Sequence, residues 1–242
     1  MHLYLRIPSG KKKHDLHSNF RNLILLLIFE MIWIKNVFTS VLLSIYVFES
    51  FAQPQDLTPF ERSDGRATTT YFECIEYYRQ LARQYPSLRI EEIGPTDSCY
   101  PLHVVLFNNE ERAGSQSESK IKILVLNAIH PGEPAGVDAS MMLLRDLASG
   151  KISESYSQHI RLAVIPFYII GGGLVRGSFS RANQNGPEDF GFRVNAKNLD
   201  LNRDFIKMDA KNTRSFVHFY HLFDPEIFVD THTSNGADYQ YI

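Results

Sequence analysis

Cysteine is nearly absent from this chain: Cys74 and Cys99 are the only two among 242 residues. Neither a disulfide-dense scaffold nor a CxxC metal clip is therefore available. A basic surplus is missing as well. Lys and Arg number 25 against 27 Asp and Glu, for a net charge of -2, and no Lys/Arg run interleaved with aromatics follows residue 60, which argues against a nucleic-acid partner. Glycine and proline, 14 and 11 residues, are too sparse for a collagen-like or low-complexity chain, and no internal repeat is visible. No uncharged apolar run reaches the ~20 residues that a spanning helix needs. What is there, 44% hydrophobic and 21% charged residues, suits one ordinary globular domain.

Charge is uneven along the chain. Residues 1–52 hold six Lys and Arg and three Asp and Glu, leaving 19 against 24, or -5, for the remainder. Asn36 to Phe48 is uncharged, follows Lys35 and precedes Ser50-Phe51-Ala52, with small residues where a signal peptidase reads; this is a signal-peptide pattern. Cleavage after Ala52 would start the mature chain at Gln53. An upstream apolar run, Leu23 to Phe29, is set apart by Glu30 and Lys35, so a start at Met31 gives the simpler leader and residues 1–30 read as an over-extended start. An uncleaved membrane anchor is the alternative.

Strand-like and helix-like segments alternate through residues 53–242, the pattern of an α/β domain. Residues 71–84 carry apolar positions at helical spacing and end before Pro86. Residues 89–93 and 102–107 read as strands, and 108–120 as a polar exposed loop. Residues 121–126 form a short buried strand, followed by an amphipathic helix up to Gly150. Residues 162–170 repeat the buried-strand pattern. The glycine- and asparagine-rich stretch 171–197, with its Asn185-Gly186 turn dipeptide, reads as a long loop of the functional kind. A helix over 212–222 and a strand over 227–230 complete the reading. Spacing alone leaves open whether Cys74 and Cys99 pair.

Three segments carry chemistry, each where a strand ends, and ligands of open α/β sheets bind at such ends. His130-Pro131-Gly132-Glu133 can turn a nitrogen and a carboxylate toward one metal ion, and His232 could close a His, Glu, His set of the kind a catalytic zinc uses. Singly, each is as well explained by an ordinary loop histidine or a helix-start charge. Between them lies Arg193 to Phe205, RVNAKNLDLNRDF. In it Asn202 and Arg203 pair an amide with a planar fork suited to a carboxylate, and Arg193 could stabilise a developing oxyanion. His218 and His221 share a helix face without a third ligand and read as solvated. Tyr77, Tyr78, Tyr239 and Tyr241 read as core or rim aromatics.

HPGEPAG, then RxNAxxxDLNRDF, then DTHTSNG, in that order across residues 60–242, resemble the motifs of the M14, carboxypeptidase A-like zinc metallocarboxypeptidases. The resemblance implies a mixed, mostly parallel sheet flanked by helices, truncated toward the C-terminus. It implies one zinc ion on His130, Glu133 and His232, and peptide or protein C-termini as substrates. Asn202 and Arg203 would grip the substrate carboxylate, Arg193 would polarise the scissile carbonyl, and Asp200 would orient His130. The family's general-base glutamate has no counterpart: Asp238 is the only carboxylate after His232, so impaired turnover is expected. A desuccinylase- or aspartoacylase-like acylase shares an HxxE and a DLNR-like run, and a non-catalytic zinc or peptide-binding protein is the other alternative.

Overall fold

The computed structural model describes residues 31–39, 56–108, 120–181, 184 and 186–233. The chain divides into two units, Met1–Gln55 and Asp56–Ile242. In the first, residues 31–39 form a helix, α1, with every side chain exposed; the proposed cleavage site and most of the apolar leader core lie outside the described residues. No helix among the described residues is long and apolar enough to cross a membrane.

The second unit opens with two capped helices. Thr58 and Glu61 form a capping box on α2 (Pro59–Arg62), and Thr70 and Glu73 form another on α3 (Tyr71–Gln84), each satisfying backbone N–H groups that a helix start leaves unpaired. Tyr71, Cys74, Ile75, Tyr78 and Leu81 recur at helical spacing and are the buried face of α3. Tyr77 is buried as well, so two of the four singled-out tyrosines belong to the core; Tyr239 and Tyr241 lie outside the described residues. Both cysteines are free, Cys74 buried in α3 and Cys99 exposed, so the disulfide that the spacing left open does not form.

The strands are β1 (Leu88–Gly94), β2 (Leu102–Phe107), β3 (Ile121–Leu126) and, after α4 (Ala135–Ala148) and α5 (Glu154–Ser157), β4 (Ile160–Ile165). A short α6 (Ile170–Leu174) leads to a two-stranded ribbon, β5 (Arg176–Gly177) and β6 (Phe190–Gly191); α7 (Lys211–Phe223) then precedes β7 (Ile227–Asp230). The main sheet runs β1-β2-β4-β3-β7. β2 pairs antiparallel with both β1 and β4, and β3 pairs parallel with both β4 and β7. Four of its five strands therefore point the same way, in the mixed, mostly parallel arrangement that the motifs imply.

Side chains alternate across the sheet as a pleat requires. Val105, Phe107, Val125, Leu162 and Val164 face a core shared with α3 and α4. Their neighbours Val104, Leu106, Leu124, Ala163 and Ile165 face the opposite core, which α7 closes with Phe216 and Phe223. Truncating a fully buried member such as Leu144 costs ~2–5 kcal/mol.

The expected strand over 162–170 is shorter than read. It stops at Ile165 because Pro166 has no N–H for a ladder bond. The stretch 171–197 is not wholly loop either: it contributes most of α6 and the β5–β6 ribbon. Helix α6 is glycine-rich because residues 192–196 lie directly on its backbone. A Cβ on Gly172 would collide with the carbonyl oxygens of Phe192 and Val194, and Phe192 N–H donates to Gly172 O at 2.8 Å.

Candidate metal centre

The site is built at the carboxyl edge of β3 and β7. These strands pair in parallel with Leu126 opposite Asp230, so the residues just past each end share one edge. Thr231 locks the two ends together. Its N–H donates to Leu126 O at 3.2 Å, and its hydroxyl reaches Asn127 Oδ1 at 2.9 Å. Gly136 lets the start of α4 approach this corner, because a Cβ there would run into the Thr231 side chain.

From Leu126 the chain turns sharply through Ala128, whose φ of 52° places a non-glycine residue in the left-handed region, at ~1–2 kcal/mol. Tyr168 N–H to Asn127 O and Ile169 N–H to Ala128 O, 3.0 and 3.1 Å, hold that turn. It delivers His130 and Glu133, respectively 2% and 4% exposed, into the interior.

His130 presents its two ring nitrogens to two carboxylates. Nε2 lies 3.1 Å from Asp200 Oδ1 and Nδ1 lies 3.1 Å from Glu133 Oε1. With the ring proton on Nε2 and donated to Asp200, the Nδ1 lone pair and the Glu133 carboxylate address one point, an arrangement that calls for a cation between them. His232 stands at that point too, its ring edge-on to His130 with centroids 4.8 Å apart. One ligand atom from each of His130, Glu133 and His232 lies within 4.8 Å of the others. A tetrahedral zinc with bonds of ~2.1 Å would draw such atoms to about 3.4 Å, a closure within reach of small side-chain rotations. The donor set fits a metal ion.

The surrounding groups hold these three in place. Asp200 Oδ2 accepts from Arg193 Nε and Nη2 at 3.1 and 2.9 Å, and Asp200 Oδ1 accepts from Asn202 N–H at 3.0 Å. Burial would raise the Asp200 carboxyl, but His130, Arg193 and that N–H together hold it below its usual range. Glu133 behaves alike. Burial alone would lift it, yet the bond to His130, the Thr233 N–H at 2.7 Å and the Arg181 charge bring it down to about 2. His232 is more exposed; its Nδ1 pairs with Asp230 Oδ1 at 2.8 Å and its Nε2 lies 3.2 Å from Asn202 Nδ2. Burial raises the Asp230 carboxyl, with His232 partly offsetting it.

The remaining motif residues follow from the loop between β6 and α7. Asn195, buried, accepts from the N–H groups of Lys197 and Leu199, a turn its short amide is made for. Asp204 accepts from the N–H groups of Asp209 and Ala210 and from the Thr213 hydroxyl, which anchors the run to α7. Arg203 is exposed and donates to Asn202 O at 3.1 Å. The structure thus brings together His130, Glu133, His232, Asp200, Arg193 and Asn202, with Arg203 at the rim. Arg193 contacts Asp200. His218 and His221 are exposed on α7. Sequence reasoning missed Arg181, Asp230 and the Thr233 N–H. Of these only Asp230 carried a signal, as a carboxylate two residues before a candidate ligand.

No family model matches this chain. Among curated proteins it is similar to carboxypeptidase 2 of Trichophyton rubrum and of Trichophyton tonsurans, 27% identical over 175 and 174 residues and 70% of this chain. The chain spans about 30% of the length of these relatives. Among solved structures, a metallo-carboxypeptidase from Burkholderia cenocepacia matches with a TM-score of 0.53 at 18% identity, over 67% of this chain and 40% of that one. A carboxypeptidase A from Helicoverpa armigera matches with a TM-score of 0.52 at 15% identity, over 68% and 46%. The fold is that of the metallocarboxypeptidases, and the curated relatives agree with it.

Proposed function

From a carboxypeptidase-like domain of the M14 type, matched over part of its length, we propose that this chain forms the zinc site and carboxylate-binding wall of an enzyme that removes residues from peptide C-termini. The convergence of His130, Glu133 and His232, with ligand atoms within 4.8 Å of one another, carries this reading. Zinc held there would supply a Lewis acid and a water of lowered pKa.

The chain's own residues have separable tasks in this proposal. Asp200 accepts the His130 Nε2 proton, which fixes the tautomer and leaves Nδ1 as the ligand atom. Arg193, steadied by Asp200, offers its remaining N–H groups to the scissile carbonyl as negative charge develops on its oxygen. Arg203, aided by Asn202, receives the substrate's terminal carboxylate at the open rim, where a planar fork can make two parallel hydrogen bonds. Export through the leader at 36–52, with a start at Met31 and cleavage after Ala52, belongs to the same proposal.

Fluorescence anisotropy with labelled peptides tests the carboxylate assignment. A free C-terminus should bind at least about tenfold more tightly than its amidated form, the size expected of a hydrogen bond to a charged group, and Arg203→Gln should erase the difference. Equal binding of the two peptides by the unaltered chain would contradict the proposal.

A further inference from the structure

We infer that Arg181 is the counter-ion that Glu133 keeps in the metal-free protein, and that it competes with an arriving divalent cation for the same carboxylate oxygen. The inference rests on the metal reading above and adds a residue that the motifs do not name.

Glu133 is a buried anion, and such a group is costly unless compensated. Its two oxygens have different partners. Oε2 accepts from Thr233 N–H at 2.7 Å, whereas Oε1 faces His130 Nδ1 at 3.1 Å and also receives Arg181 Nη2. Oε1, the oxygen beside His130 Nδ1, would hold a cation shared by His130 and Glu133. Guanidinium and cation would then be two positive charges on one oxygen, in a setting with little water to screen them.

The approach of Arg181 depends on a gap in the backbone. Its side chain, 13% exposed, crosses Gly132. A Cβ at that position would lie 3.2 and 3.3 Å from Arg181 Nε and Cγ, and 3.0 Å from Gly191 O. Glycine between the two ligands keeps this lane clear, since a Cβ there would press the Arg181 side chain and the Gly191 carbonyl aside by a few tenths of an ångström. Arg193 makes the contrast, because its guanidinium is held on Asp200, the far side of His130 from the cation position.

Zinc affinity of the purified 242-residue chain, measured by competition with a chromophoric chelator, provides the test alongside the melting temperature of the metal-free form. Arg181→Gln should bind zinc about tenfold more tightly, from removal of a nearby like charge, while the metal-free Tm falls on the order of 5 °C. Arg181→Lys, which keeps the charge, should stay close to the unaltered chain in both. Zinc affinity in Arg181→Gln that is equal or weaker overturns the inference, since a purely structural or ligand-orienting residue gives one of those results. A second measurement needs no variant. Phenylglyoxal should modify Arg181 faster in the zinc-loaded chain, read by peptide mass mapping, and an unchanged or slower rate overturns the inference. Failure of the unaltered chain to take up zinc would instead overturn the metal assignment itself, and this inference with it.

Discussion

The two halves of the candidate centre are held very differently. His130 and Glu133, delivered by β3, are nearly inaccessible and tied to Asp200, Arg193, Arg181 and Thr233. His232, delivered by β7, is exposed; its ring nitrogens meet Asp230 and Asn202, and its ring lies edge-on to His130. The strands themselves differ in the same sense. β3 lies inside the sheet between β4 and β7, whereas β7, among the described strands, pairs with β3 alone and is exposed along its length. A ligand pair buried in a hydrogen-bonded network has paid its ordering entropy during folding, and one on an open strand has not. The buried half should therefore set metal affinity, and the exposed half should tune it.

That asymmetry can be broken by single substitutions. The largest effect is expected from Asp200→Asn, which removes the charged acceptor of the His130 ring and the partner of Arg193. Loss of such an orienting carboxylate typically weakens metal binding 10- to 100-fold, and isothermal titration with zinc reads it directly.

On folding rather than on metal binding, an effect is expected at Asp138 on α4, buried behind the ligand pair. Burial pushes this carboxyl up to about 6, against its hydrogen bonds from Thr68 and Thr69 and the charge of Arg176. Its folded value lies above the unfolded one of 3.8, so the folded state takes up a proton between the two. Stability from this group is highest below pH 4 and falls as pH rises through 6, by about 2–3 kcal/mol. Urea unfolding of the chain and of Asp138→Asn at pH 4 and pH 7 should show the two converge at the lower pH and separate at the higher.

The smallest effect belongs to the exposed half. Asp230→Asn keeps an oxygen for His232 and should weaken zinc binding only severalfold, below the Asp200→Asn effect by the same titration. A larger loss at Asp230 than at Asp200 would invert the comparison.

Much of this arrangement was legible in the sequence where the cause is local. The bounds of α3, β2, β3 and β7 follow from apolar period, caps and flanking proline, and the ligand trio follows from three short segments in order. What escaped has non-local causes. Helix α6 is invisible because glycine is a poor helix former, and the close approach of residues 192–196 that its glycines admit is set by the fold. Arg181 carries no local sign, since it reaches Glu133 across Gly132 from a loop 48 residues after Glu133. The state of Cys74 and Cys99 depends on where α3 and the β1–β2 connection place them, which spacing does not encode.

The most direct test of the central claim is X-ray absorption at the zinc edge on the zinc-loaded chain, repeated with His130→Ala. The account predicts one zinc per chain with a nitrogen and oxygen first shell at about 2.0–2.2 Å, and loss of that zinc in the variant. A first shell containing sulfur at about 2.3 Å, from Cys74 or Cys99, or zinc retained unchanged without His130, would contradict it.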